Sequence, residues 1–209
     1  MRRLFVLISA SLLALTACSP EKAKTTSPID SSGPSQTQAP VTADAVPGPR
    51  VPKVDNAIDV TRFLQAPCDS LTADQIKTLL GAGVTPKTEL DAPAGPSCSI
   101  HPPTVSDAGV VVMFSTVDKR GLTSIYQAQG TKYRFFMPMD AVDGYPAVAY
   151  GITDGRKTDG ICQVAVGVSD QQTVDIAITQ SKQNIGHKDP CEAAHGVAES
   201  VVGNLRGAR

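Results

Sequence analysis

The sequence predicts an α+β domain: an antiparallel β-sheet with an N-terminal and a C-terminal helix packed on one face, stapled by two disulfides. Three observations lead there. Apolar and polar residues alternate along 161–168 and 173–179, the period of half-buried strands. The gaps between candidate strands are too short for helical crossovers, so neighbours run antiparallel. Two helix-capping signatures flank the strand region, and a cysteine lies beside each.

The elements follow in order. Thr72 caps the first helix and Gln75 stands at its third position, a capping box. Leu71 can staple onto Ile76. Ile76, Leu79 and Leu80 form the buried stripe, and Gly81 or Gly83 ends it. Val110 to Val117 is β-branched and apolar, a well-buried strand. Tyr133 to Met137 is a further strand, broken by Pro138, which suggests an edge or a loop. Ala147 to Tyr150 follows Gly144-Tyr145-Pro146. Along Ile161 to Val168, Cys162, Val164, Val166 and Val168 share one face. Along Thr173 to Thr179, Val174, Ile176 and Ile178 point inward and Asp175 outward. The last helix has Asp189 as cap, Pro190 at the first position and Glu192 completing a capping box. Its apolar face is Ala194, Val197, Ala198, Val201 and Leu205.

Before the domain, the chain changes character twice. Arg2 and Arg3 precede a mostly apolar stretch, Leu4 to Leu15, which ends in Leu15-Thr16-Ala17-Cys18. This is the layout of an export signal over residues 1–17, and it is short for a membrane span. The ending resembles the bacterial lipobox at every position. That likeness implies a diacylglycerol on the Cys18 sulfur and cleavage that leaves Cys18 first. Residues 18–57 then read as the lipidated cysteine and a Pro/Ser/Thr-rich tether without aromatics, too polar to offset its ordering entropy. The globular domain is assigned to residues 58–209.

Composition excludes several classes. The 209 residues carry a net charge of −1, with 41% hydrophobic and 4% aromatic residues. Lysines and arginines are scattered, which argues against nucleic acid. Loss of residues 1–17 removes two arginines and leaves 17 basic and 20 acidic residues, a charge of −3. That makes no case for attraction to an anionic surface. An exported chain meets oxidising conditions. Five cysteines less Cys18 leave Cys68, Cys98, Cys162 and Cys191. Four cysteines allow three pairings; the spacing favours Cys68–Cys98 and Cys162–Cys191. No close C-x-x-C pair supports zinc, so no metal or cofactor is assigned.

No catalytic constellation emerges. His101, His187 and His195 are the three histidines, and neither G-x-S-x-G nor S-x-x-K occurs. The acid pairs Asp140/Asp143 and Asp154/Asp159 lie beside glycines and read as turns. Tyr126, Tyr133, Phe135, Phe136 and Tyr145 cluster within one stretch. They fill a sheet face or line a ligand groove, the groove being drawn from Tyr133, Phe135, Phe136 and Tyr145.

A lipobox, a tether, "PCDSLTADQIKTLLG" at 67–81, Cys98, "GYPAV" at 144–148, "CQVAVGVSDQQTVDIAI" from 162 and "DPCEAAHGVAESVV" from 189 occur in this order. Together they resemble the actinobacterial lipoprotein family known as domain-of-unknown-function family 3558. The resemblance implies a membrane-anchored domain on the extracytoplasmic face and no particular activity. The leading expectation is a non-enzymatic accessory or binding protein of the cell envelope, held to the bilayer through Cys18. A sensor of small molecules or cell-wall fragments is the second expectation, and a hydrolase with an unread site the third.

Overall fold

The computed structural model describes residues 45–102 and 108–207. The expected signal peptide, Cys18 and most of the expected tether lie outside them. Seven strands form one antiparallel sheet: β1 Lys87–Glu89, β2 Ser97–Ile100, β3 Gly109–Phe114, β4 Phe135–Val142, β5 Tyr145–Gly151, β6 Ile161–Ser169 and β7 Gln172–Thr179, in the order β1-β2-β3-β7-β6-β5-β4. Among the described residues three α-helices accompany it: α1 Ala73–Leu80, α2 Leu122–Gln127 and α3 Pro190–Gly207.

Alternation along the strands gives the sheet two faces. On the first, Val112, Phe114, Val164, Val166, Val174 and Ile176 are fully buried. They belong to one cluster with Ala194, Val197, Ala198, Val201, Val202 and Leu205 of α3. Phe63 stacks on Phe114 with ring centroids 5.7 Å apart. Ile76 of α1 and Leu71, just before its cap, join this cluster. Its capping box is formed on both sides: Thr72 Oγ1 accepts from the Gln75 amide and Gln75 Oε1 accepts from the Thr72 amide. Asn204 Nδ2 of α3 donates to Gln75 Oε1 at 2.7 Å and to Ser70 O at 2.9 Å, tying the two terminal helices together. Thr72→Ala is expected to lower stability by about 1 kcal/mol, read as an earlier urea midpoint with an unchanged slope.

The disulfides are Cys68–Cys98 and Cys162–Cys191. The first joins the 3-10 turn Pro67–Ser70 to β2; the second joins β6 to the first turn of α3.

Three features differ from expectation. Residues 45–57, assigned to the tether, lie against the domain. Gly48 N donates to Thr123 Oγ1, Val54 N donates to Asp170 Oδ1, and Val54 is buried. Prolines and small residues there hide a few anchoring contacts that composition does not reveal. Second, α2 covers the other sheet face, where Leu122 and Ile125 pack on Val148, Tyr150 and Ala165. It starts at Gly121, whose φ of +50° and closeness to Asp170 O (2.6 Å from a would-be Cβ) suit glycine alone. Third, β4 continues through Pro138 instead of stopping before it. β4 is the outer strand, where a missing N–H is tolerated.

Candidate functional site

Where α1 ends and α3 begins, the two helices stand apart over the ends of β3 and β7. They leave a groove of about 720 Å³. Val110, Ile178 and Val197 supply apolar lining, Leu79 and Leu80 one wall, and Ala193 and Gly196 the other. The small residues of α3 keep it open: a Cβ on Gly196 would meet nothing within 4 Å. Leu79 is 40% exposed, unusual for the apolar stripe of a helix this short. The rim is polar, with Gln180, His187, Lys188, Asp189 and Glu192. Gln180 is buried; its Nε2 donates to Lys188 O at 3.2 Å, while its Oε1 has no hydrogen-bond partner among the described residues. A buried amide oxygen without a donor carries a desolvation cost. The disulfide at Cys191 fixes the α3 wall, and Cys191 N donates to Asp189 Oδ1 at 2.8 Å.

The aromatic residues do not form the expected groove. Phe135 and Tyr145 belong to the first-face core, whereas Tyr133 and Phe136 pack with α2 on the second face. Phe135 and Phe136 are adjacent in a strand and must diverge. On the second face Tyr126 meets Phe136 edge-on at 4.9 Å, and Tyr133 meets Tyr150 edge-on at 4.7 Å. They are packing groups.

The histidines are dispersed. His101 lies against Gly109 on the neighbouring strand. His187 is on the groove rim. His195 Nε2 is 3.1 Å from Asp140 O and Nδ1 is 3.6 Å from Glu199 Oε1, above a hollow lined by Met137, Met139 and Glu192. Among the described residues, no group of three or more His, Cys, Asp or Glu side chains could hold a metal ion. Turn chemistry accounts for the acid pairs. Asp143 (φ +50°) and Gly144 (φ +87°) make the β4–β5 hairpin turn. Asp154 accepts from Arg156 at 2.8 and 2.9 Å; this hydrogen bonding, ahead of the opposing effect of burial, holds its carboxyl below the ordinary range.

One buried polar cluster has no counterpart in the sequence reading. Asp175 faces away from the first-face core, as its alternation requires, yet it is only 3% exposed. Tyr150 Oη donates to Asp175 Oδ1 at 2.6 Å and Thr173 Oγ1 donates to Oδ2 at 2.9 Å. Gln163 Nε2 donates to Tyr150 Oη at 2.6 Å. Loss of water pushes the Asp175 carboxyl up despite these hydrogen bonds, and pushes the Tyr150 phenol up as well.

The class these features define is a twice-bridged α+β domain with an open, apolar-floored groove between its terminal helices. Residues 13–204 match the family described as "Protein of unknown function (DUF3558)", and the chain belongs to that family. No curated protein matches the chain. No solved structure matches it.

Proposed function

We propose that this protein is a lipid-anchored, extracytoplasmic accessory or binding protein of the cell envelope, without catalytic activity of its own. One observation carries the reading. Four of the five cysteines pair with one another, and the odd one, Cys18, stands at the end of Leu15-Thr16-Ala17. Disulfides belong to exported chains, and an unpaired thiol in that setting calls for another use. The family match begins at residue 13 and so includes this stretch. Cys18→Ala is expected to move the protein from the membrane fraction to the medium, with the mass of a diacylglycerol lost. Continued membrane association of a variant shown by its mass to have lost residues 1–17 would refute the anchor.

The groove favours a second, compatible reading, in which the domain senses a small amphipathic molecule. The apolar lining suits a hydrocarbon portion and the polar rim a hydrogen-bonding head. An apolar fluorescent probe, anilinonaphthalene sulfonate, is expected to bind the folded protein and to lose most of its signal in Gly196→Phe. Equal signals in both proteins would remove the groove as its seat.

A further inference from the structure

The end of the sheet at which β5 leaves and β6 begins gathers charge that the whole-chain balance conceals. Three segments meet there: Lys132–Arg134 before β4, the connection 152–161, and the connection 180–189. Phe135 pairs with Gly151, which sets Arg134 beside Ile152. Gln180 N donates to Gly160 O, and Arg156 Nη1 lies 3.8 Å from Asp189 Oδ2, which joins the other two.

These segments hold six basic and three acidic residues, whereas the remaining described residues hold eight basic and thirteen acidic ones. Two of the three acids, Asp154 and Asp189, share Arg156 as partner. The third, Asp159, accepts from Thr158. Glu192, the next acid along α3, lies at the hollow beside His195. Lys132, Arg134, Lys182 and Lys188 are exposed and form no ion pair with an acid among the described residues, and Lys157 is exposed with only its charge bearing on Asp154. Among these cations stand Ile152, 66% exposed, and Ile161, 46% exposed. They are two of the five large apolar side chains that the described residues leave exposed. Half-buried Tyr133 lies beneath Lys132, whose Nζ is 5.1 Å from the ring centroid.

We propose that this end of the sheet is a membrane-docking face, with Arg134, Lys157, Lys182 and Lys188 on anionic phospholipid headgroups and Ile152 and Ile161 entering the interface. The charges are opposite in sign, and two exposed isoleucines at a sheet end that also carries exposed cations are the composition an interfacial contact requires. Twenty-six residues separate Cys18 from residue 45. Fully extended they span at most about 90 Å, so a lipid on Cys18 leaves this end free to reach the bilayer. The inference goes beyond the anchor and is tested without it.

The test uses residues 18–209 with Cys18→Ser, made in an oxidising compartment so that both disulfides form. Vesicles of 30% phosphatidylglycerol in phosphatidylcholine are compared with pure phosphatidylcholine by co-sedimentation. Partitioning at least tenfold higher on the anionic vesicles is expected, declining with added salt. Lys157→Glu with Lys188→Glu is expected to weaken it by more than tenfold, at roughly fivefold per positive charge removed. Ile152→Ser with Ile161→Ser is expected to weaken it several-fold on the same vesicles. Lys53→Glu with Lys119→Glu, at the opposite end, makes the same change of net charge and serves as control; it is expected to lose clearly less binding than the Lys157/Lys188 pair. Equal partitioning on both vesicle types, no partitioning, or an equal loss in the control would overturn the docking face. So would binding to soluble heparin as tight as to anionic vesicles, since the partner would then be a polyanion and not a bilayer.

Discussion

Replacing Cys162 and Cys191 together by alanine is expected to lower unfolding stability by about 3–4 kcal/mol, the chain-entropy cost of releasing a loop whose ends are 29 residues apart. The comparable double replacement of Cys68 and Cys98, 30 residues apart, loses a similar amount. The two losses differ in their consequences. Cys162–Cys191 holds the first turn of α3, which carries Glu192 and Ala193 at the groove and follows Asp189 on its rim. Cys68–Cys98 holds the segment just before α1, to which Asn204 of α3 also bonds through Ser70 O. Urea unfolding gives the stability of each variant, and the probe signal measured on still-folded protein separates the roles. Loss of Cys162–Cys191 is expected to reduce groove binding in the folded protein; loss of Cys68–Cys98 is expected to affect stability more than binding. A Cys162→Ala/Cys191→Ala protein as stable as the parent would mean that packing of α3 on β6 and β7 already constrains this segment in the unfolded ensemble.

What the sequence discloses, and what it hides, follows from range. The capping box at Thr72 and Gln75, the alternation of β6 and β7 and the apolar face of α3 are patterns within a few residues, and each appears where those patterns place it. The short exposed strand β1 has no apolar residue and owes its existence to pairing with β2. α2 has six residues and no side-chain cap, so its stability comes from the sheet beneath it. The groove was illegible because its floor, walls and rim come from four separate parts of the chain. The expected aromatic groove failed for the converse reason: residues close in sequence were divided by the sheet. Charge behaves the same way. A scattering of lysines and arginines along the chain becomes one basic end only when β4, β5 and β6 bring Arg134, Ile152 and Ile161 together.

Asp175 is where pattern and environment part, and it yields the second large effect. Asp175→Ala leaves the buried hydroxyls of Tyr150 and Thr173 without their acceptor, at about 1–3 kcal/mol for each. A loss of about 2–4 kcal/mol is expected near pH 4. The pH dependence carries the sharper information. Burial raises the folded-state pKa of Asp175 above its unfolded value of 3.8. The folded protein therefore retains a proton that the unfolded chain has released. Its stabilising contribution is complete below the unfolded pKa and is lost as pH rises through the folded one. Asp175→Asn keeps an acceptor for Tyr150 and does not titrate. The stability of the parent relative to Asp175→Asn is thus expected to fall from pH 4 upward, by at most about 1.4 kcal/mol for each pH unit within that window, and then to level off. Urea midpoints at pH 4, 5.5 and 7 measure it. A gap that grows in the parent's favour as pH rises would show the opposite balance: the two hydroxyl donors would then stabilise the carboxylate by more than burial costs it, and the proton would be absent from the folded state.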